Sequence, residues 1–434
     1  MTTHEEKIKR ISNQLKNYRS DKPISLKKKS VSHQVPKVND KKYSDNKIDI
    51  SDLNKILFVD AEKKICVAEP GVTFADLVKE TLKYNLVPMT VPEHKAITIG
   101  GAIAGCSIES MSYKYSGFHD SCLEYEVITS DGKVINCSPE KDKLLFQMLH
   151  GTFGTLGIIS KLTFKLIDAK PFVKLNYEKY FSLEDYKKAI LEFSKKKEID
   201  FIDGIIYSPK EYILCVGKFV DAAPYTRNYN WMNAFCIDAR KRKEDYLKTF
   251  DYFFRYDKGT TTTFTKNPVT RFFFGKLFSS TNILKIANKF RKIITEEKLP
   301  ITIDLFIPFS KAEEFFEWYN QEINYFPLWC VPYKRKNYEW ISDSFLKNIK
   351  DDLFLDIAIY EMRKENKEKY YRMFEDEIIK INGLKTLISN NYFSEKDFWK
   401  IWNKKNYDKV KKQTDPKNIF RGLYEKTCRA SMGK

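Results

Sequence analysis

No two of the eight cysteines in this 434-residue sequence form a CxxC pair. They stand singly at 66, 106, 122, 137, 215, 236, 330 and 428, a spacing that gives neither a zinc site nor a disulfide framework. Reduced, small apolar residues are expected there. Histidine is scarcer still: His4, His33, His94, His119 and His150 are the only five, and no HExxH spacing joins them, which excludes metal catalysis of that kind. No apolar run approaches the roughly twenty residues that span a bilayer. The start, MTTHEEKIKRISNQLK, has no apolar signal region. The chain is therefore expected to be intracellular, and soluble or peripherally membrane-associated. Also missing are a GxGxxG turn between strand and helix and a GxxxxGK[ST] loop, so the usual dinucleotide and nucleotide-triphosphatase folds fail.

What is present is a globular composition, 42% hydrophobic and 15% aromatic, in a chain long enough for two domains. The net charge of +18 reads first as a lysine-rich solvated surface. A nucleic acid, an anionic membrane or a phosphate-bearing ligand are the sharper readings, and no helix-turn-helix, zinc finger or RNA-binding signature accompanies the charge.

Apolar spacing predicts a helix in HEEKIKRISNQLKNY with Ile8, Ile11 and Leu15 on one face, then a strand at Ile24 and Leu26. Residues 37 to 50 read as exposed connection. Two strands flank a turn at Ala61 to Lys64. Thr73 caps a helix that buries Phe74, Leu77 and Val78. YEVITSDGKVINCS is a hairpin turning at Asp131-Gly132, and Ser138-Pro139 starts a helix that ends at Gly151. A long strand follows, with Ile159, Leu162, Phe164 and Leu166 as its apolar positions. Beyond 168, strands are expected in FIDGIIYS, YILCVGKFV, ITIDLFIPF, PLWCVPY and LFLDIAIY. Capping boxes pair Ser310 with Glu313 and Ser394 with Asp397. The pattern is α+β, with a cofactor domain ending near 168 and a second α+β domain of antiparallel sheet and covering helices.

One stretch suspends both charge and bulk. HKAITIGGAIAGCSIESMSYKYSG places Gly100, Gly101, Gly105 and Gly117 close together with no charge between Lys95 and Glu109. Glycines there permit close backbone approach or positive φ. Thr98, Ser107, Ser110 and Ser112 offer hydroxyls, and exposed amides form anion-binding nests. A pyrophosphate suits such a loop; a tight turn packed against a helix suits it equally. A second cluster, GTFGTLGII, spaces Gly151, Gly154 and Gly157 by three, as helix-stop chemistry or for close approach to a flat ring.

Taken in order, KPISLKKKSVSHQVP, AEPGVTFADL, VPEHKAITIGGAIAG, YEVITSDGKVINCS and GTFGTLGIISKLTF resemble the PCMH-type FAD-binding domain of the vanillyl-alcohol oxidase flavoprotein superfamily. GCSIESMSYKYSGF, standing where the sugar-lactone oxidases carry threonine-histidine-glycine, is similar to the Δ24-sterol reductase (diminuto-like) branch. NYFPLWCVPY, LFLDIAIY, GLKTLISNNYFSEKDFW and IFRGLYEKTCRA extend the likeness over nearly the whole chain. The resemblance implies a two-subdomain FAD-binding domain over 1–168 and a substrate, or cap, domain over 169–434, with the C-terminal segment packing back on the first.

It also implies non-covalent FAD. By position, Ser30, Ser32 and His33 match the family's first phosphate loop, which in relatives is glycine-rich and here reads KKKSVSHQ. Thr98, Gly100, Gly101, Gly105, Ser107, Glu109 and Ser110 match its cofactor segment. Thr155, Leu156, Gly157 and Ile159 match the strand entry along the cofactor. The implied reaction is hydride transfer from NADPH through the flavin to a C=C bond of an apolar, sterol-like substrate, which also requires a proton source. Glu109 is the first candidate, because an isolated buried carboxyl has a raised pKa; Tyr113, Tyr115, Asp304 and Tyr333 follow. Cys106, His119 and His150 read as core or element-end residues. The central YFFRYDKGTTTTFTKNPVTRFFFGKLF departs from the branch pattern. Phe272, Phe273 and Phe274 beside Arg271 and Lys276 suit either a membrane contact or core packing. An alcohol or sugar oxidase using O₂, and a basic nucleic-acid- or membrane-binding protein on a degenerate flavin fold, are the alternatives.

Overall fold

Apolar alternation between 56 and 168 builds one antiparallel sheet around the long strand Ile158–Asp168. The computed structural model describes residues 2–30, 34–35, 37, 40–229, 233–257, 299–336 and 338–433, with 269, 272–273, 282, 285–286 and 289 in addition. The strand order is Ile56–Asp60, Ile65–Ala68, Ile158–Asp168, Cys122–Ile128, Val134–Cys137, and Leu86–Pro88 pairs with the far end of the long strand. The predicted hairpin forms with Gly132 at φ 79°. The Thr73 hydroxyl accepts the Asp76 amide at 3.2 Å and opens helix Phe74–Thr81, whose Phe74 packs edge-on against Phe118, and Phe118 against Phe164.

The N-terminal helix His4–Lys16 buries Ile8, Ile11 and Leu15 as its spacing requires. Buried charge holds it to the sheet: Lys7 Nζ donates to both Glu69 oxygens at 2.9 and 2.8 Å. His4 bridges Glu69 at 2.9 Å and Glu126 at 2.8 Å. Hydrogen bonds to Glu126 and Glu69 raise the His4 pKa from 6.5 to about 9, against its burial. A raised histidine pKa stabilises the fold fully below the unfolded value and loses that contribution as pH climbs through the folded one. Stability is therefore expected to fall by about 1–2 kcal/mol between pH 6.5 and about 9, after allowance for screening by water, and the thermal midpoint with it. His4→Gln should flatten that slope in a pH series of melting curves; an unchanged slope would refute the assignment.

Residues 37–50 depart from the exposed connection expected of them. Asn46–Asp49 is a strand, parallel to Ile24–Lys27, with Ile48 and Ile50 buried. Polar residues alternating with a single isoleucine made this strand too short to read. Two predicted caps also differ. Ser310 bonds Asp351 through its amide and hydroxyl, at 2.7 and 2.8 Å, instead of capping Ala312–Glu322. Ser138 accepts the Glu140 and Lys141 amides in a turn, and the following helix starts only at Lys143. Ser394 caps its helix as expected, accepting the Asp397 amide at 3.1 Å.

The five strands expected beyond 168 all form, as Phe201–Ser208, Glu211–Val220, Ile301–Pro308, Leu328–Lys334 and Leu353–Met362. With Phe172–Tyr180, Glu244–Lys248 and Leu384–Lys385 they make an eight-stranded antiparallel sheet. The helices Leu183–Ser194, Ala312–Glu322 and Lys367–Lys380 share one core with its Ile202, Leu214, Leu305 and Ile357. Residues of the opposite face, among them Phe201, Trp329, Val331 and Phe354, share a core with the first sheet. The fold is α+β.

After Lys385 the chain contacts the first half again. The Ser130 amide donates to Thr414 O and the Ile24 amide to Ile419 O, both at 2.8 Å. Lys411 and Lys426 donate to the carbonyls of Thr155 and Phe153 at 2.9 and 2.6 Å. All eight cysteines are free, seven of them buried. Among the described residues no helix is long and apolar enough to cross a membrane, and no cluster of side chains suits a metal ion. Phe272 and Phe273 are exposed; Arg271, Phe274 and Lys276 lie outside the described residues.

Candidate active site

Helix Ile99–Gly105 starts at Thr98, whose hydroxyl accepts the Gly101 amide at 3.2 Å, and ends where Cys106 turns to φ 54°. Its glycines have different reasons. A Cβ on Gly100 would lie 2.5 Å from Pro70 Cβ, so that glycine serves packing between helix and loop. Gly101 is exposed and would meet only the Thr98 hydroxyl, at 3.1 Å. Gly105 faces a cavity, and its Cβ would make only an ordinary 3.6 Å contact with Ile388. Gly151, at φ 67°, lines the same cavity beside Cys106.

That cavity, about 690 Å³ with the adjoining solvent-open space counted, opens between the glycine-bearing helix and the second sheet. Phe306, Tyr333 and Phe354 come from the sheet, and Trp340 and Trp402 from the segments beside it. Aromatic walls with few polar groups suit a flat ring or an apolar molecule. His119 completes one wall; burial lowers its pKa and keeps the ring neutral.

Glu109 is not on that wall. It is fully buried, 3.0 Å from the Arg255 guanidinium, which is itself 2.9 Å from Asp203. Asp203 also accepts from Tyr256 at 2.8 Å and Trp329 at 3.0 Å, and the rings of Tyr252, Tyr256 and Phe235 pack around the guanidinium. Burial pushes Glu109 up to about 7, against the pull of Arg255. The raised pKa expected from sequence is there, but the carboxyl is locked into an ion-pair cluster joining the glycine loop to the sheet. Ser110 belongs to the same lock: its hydroxyl bonds Glu109 and accepts from Tyr252 at 3.0 Å, and its carbonyl accepts the Ile202 amide at 2.8 Å. Arg255 and Asp203 carry no local motif, and sequence reasoning missed both.

Tyr113 is likewise away from the cavity, donating to Ile199 O at 2.6 Å, and half-buried Tyr115 does not line it. Asp304 is buried behind the wall, where Thr386, a lining residue, donates to it at 3.4 Å. Burial and then Glu93 raise its pKa to about 7. Tyr333 alone among the five predicted proton donors lines the cavity.

For the predicted cofactor residues the picture is divided. Gly157, at φ 132°, would place a Cβ 2.7 Å from Val127, so strand packing explains it. Leu156 is core, Ile159 pairs with Val127, and the Thr155 hydroxyl donates to Thr152 O at 2.8 Å. Ser107 bonds through its backbone to Ala102 and Phe118. Ser30 is half-buried at the edge of the first loop; Ser32 and His33 lie outside the described residues.

Beside that loop is a group of lysines that sequence reasoning only partly anticipated. Burial, then Lys42 and Lys28, lower the Lys426 pKa to about 7; burial and Lys42 lower Lys37 to about 8. Of the nearest carboxylates, Asp40 is 3.0 Å from Lys42 and Asp45 is held by Arg421. Cations crowded in this way fit a diphosphate better than they fit one another. The segment adjoins the cavity, since the Val35 amide donates to Ile388 O at 2.9 Å, next to the lining residue Leu387, and a Cβ on Gly105 would reach Ile388 at 3.6 Å. The residues present therefore fit FAD: lysines for its phosphates, and glycines without side chains beside its ring.

Comparison with known proteins agrees. Residues 33–138 match the family described as FAD binding domain. The chain is 26% identical over 401 residues to the human Delta(24)-sterol reductase, covering 87% of this chain and 77% of that protein. It is 26% identical over 470 residues to the Delta(24)-sterol reductase homolog of Caenorhabditis elegans, covering 98% and 88%. The pea Delta(24)-sterol reductase is 24% identical over 475 residues, covering 98% and 84%. The resemblance read from the sequence holds over most of the chain, in animal and plant relatives alike.

Proposed function

We propose that this protein is an FAD-dependent oxidoreductase that reduces a C=C bond in an apolar, sterol-like molecule with hydride from NADPH. The observation carrying this reading is the aromatic cavity beside Gly105 and Gly151, adjoining the segment similar to FAD-binding domains. Residues 1–168 would hold the cofactor and 169–434 the substrate, with the C-terminal segment returning to the cofactor part. Lys37, Lys42 and Lys426, with Ser30 and the first loop, would neutralise the diphosphate; Thr98, Gly101 and Gly105 would border the rest. When bound, the flavin accepts hydride from the nicotinamide and passes it to one carbon of the double bond.

The chain's own residues supply what the flavin cannot. Phe306, Phe354, Trp340 and Trp402 line the cavity, and their faces favour positive charge developing on the alkene as it is protonated. An isolated double bond is not an electrophile, so a proton must arrive with the hydride or before it. Tyr333 and Tyr338 are the phenols on the wall, Tyr333 being carried by the sheet, and Asp304 stands behind the wall through Thr386. Exposed Phe272 and Phe273 support peripheral contact with the membrane that would store such a substrate.

Purified protein is expected to be yellow and to release FAD on denaturation. In anaerobic stopped flow, NADPH should bleach the flavin and a Δ24-unsaturated sterol should restore its colour. Bleaching by a sugar or alcohol instead, with rapid reoxidation by O₂ and no response to NADPH, would overturn the reading in favour of an oxidase.

A further inference from the structure

Tyr333 is not isolated on the cavity wall. Its hydroxyl bonds the hydroxyl of Tyr338, and Tyr338 donates onward to Asp120 Oδ2 at 2.8 Å. The second Asp120 oxygen is 3.6 Å from Lys336 Nζ, on a side chain about half exposed to solvent. The groups facing this line are known: His119 Nε2 lies 3.4 Å from Asp120, and Cys106 and Arg335 flank Tyr333. Tyr338 stacks on Trp340 at 4.9 Å, and Tyr333 packs edge-on against Phe306 at 5.3 Å, so both rings are fixed. Hydrogen bonds thus run from the cavity wall through two phenols to a carboxylate, whose other oxygen forms an ion pair, too long for a direct hydrogen bond, with a half-exposed lysine.

We infer that Tyr333, Tyr338, Asp120 and Lys336 form a proton relay that feeds the cavity, with Tyr333 as the group that protonates the substrate. The inference deepens the proposed reductase reading and rests on it. As hydride adds to one alkene carbon, the other takes the Tyr333 phenolic proton: the O–H bond breaks and a C–H bond forms. The phenolate left behind draws the proton of Tyr338. For this the Tyr338 hydrogen turns from Asp120 Oδ2 to Tyr333. Lys336 closes on Asp120 and protonates Oδ1, the carboxyl rotates to hand that proton to the Tyr338 oxygen, and Lys336 is reprotonated by water. Each turnover then consumes one hydride and one solvent proton, as saturation of a C=C bond requires. Tyr333 and Tyr338 are both buried, so the hydrogen bond between them gives the Tyr333 oxygen a proton source other than the cavity itself.

The test separates the two half-reactions. Flavin reduced chemically with dithionite is mixed anaerobically with a Δ24-unsaturated sterol and its reoxidation followed, so NADPH is not involved. Tyr333→Phe is expected to slow reoxidation about 100-fold, at the lower end for loss of a positioned acid. Tyr338→Phe and Asp120→Asn should each slow it about tenfold and enlarge the solvent deuterium isotope effect, while bleaching of the oxidised protein by NADPH stays within twofold. In cofactor-free protein, Tyr338→Phe and Asp120→Asn should both remove the red-shifted near-ultraviolet tyrosine band of a phenol donating to a carboxylate. Reoxidation within threefold of wild type in Tyr333→Phe, or a loss confined to Asp304→Asn, would overturn the relay. A wild-type protein that binds FAD but is not reoxidised by any such sterol would instead remove the reductase reading on which the relay depends.

Discussion

Arg255→Met is expected to lower stability by about 3–5 kcal/mol, the range seen when one member of a buried ion pair is removed and its partner left behind. Two carboxylates would be abandoned, because Arg255 stands within 3.0 Å of Glu109 and 2.9 Å of Asp203 with no solvent access to any of the three. The three rings around the guanidinium would keep their positions and enclose a void. The loss should shrink as pH falls. Unpaired buried carboxyls have raised pKa values in the folded state, so the variant gains stability as they take up protons. Pairing Arg255→Met with Glu109→Gln and Asp203→Asn should recover part of the loss by removing the stranded charge. Denaturant unfolding of the cofactor-free protein at two pH values measures all of this. A single variant within about 1 kcal/mol of wild type would mean that the cluster holds nothing together.

The same cluster shows how far the sequence reaches. An acidic residue in a glycine-rich, uncharged loop signals a shifted pKa, and Glu109 has one. What it does with that shift depends on Arg255 and Asp203, which arrive from distant segments and leave no periodic trace. The strands beyond 168 were legible because each is a nearly continuous apolar run, buried on both faces; Asn46–Asp49 was not, having one buried isoleucine and a partner supplied from elsewhere. Ser310 matches a capping box as well as Ser394 does, but Asp351 bonds it first. Tyr333 could be picked out as a phenol in the second domain, whereas Tyr338 and Asp120 become a relay only when two segments meet. The C-terminal return is held in part by lysines on backbone carbonyls, and a carbonyl has no letter in the sequence.

Two glycines of one helix should respond in opposite ways. A valine at Gly105 meets Ile388 at an ordinary 3.6 Å from its Cβ and otherwise projects into the cavity. The cofactor-free fold should survive, its melting midpoint moving by about 2 °C or less, a surface-scale change. FAD content should fall at least about tenfold, since a branched side chain occupies volume the flavin needs, and 1.4 kcal/mol of lost affinity already amounts to that factor. Gly100→Val has the reverse expectation. Its Cβ would sit 2.5 Å from Pro70 Cβ and 3.0 Å from Pro70 O, against backbone that cannot turn aside. Overpacking of that kind costs about 1–3 kcal/mol, so the midpoint should drop even without cofactor, and FAD loss would follow from the damaged fold. Melting curves of apo-protein and flavin-to-protein absorbance ratios decide between them. If Gly105→Val keeps its FAD, the cavity is not where the flavin lies; if Gly100→Val melts like wild type, the Pro70 contact does not position the helix.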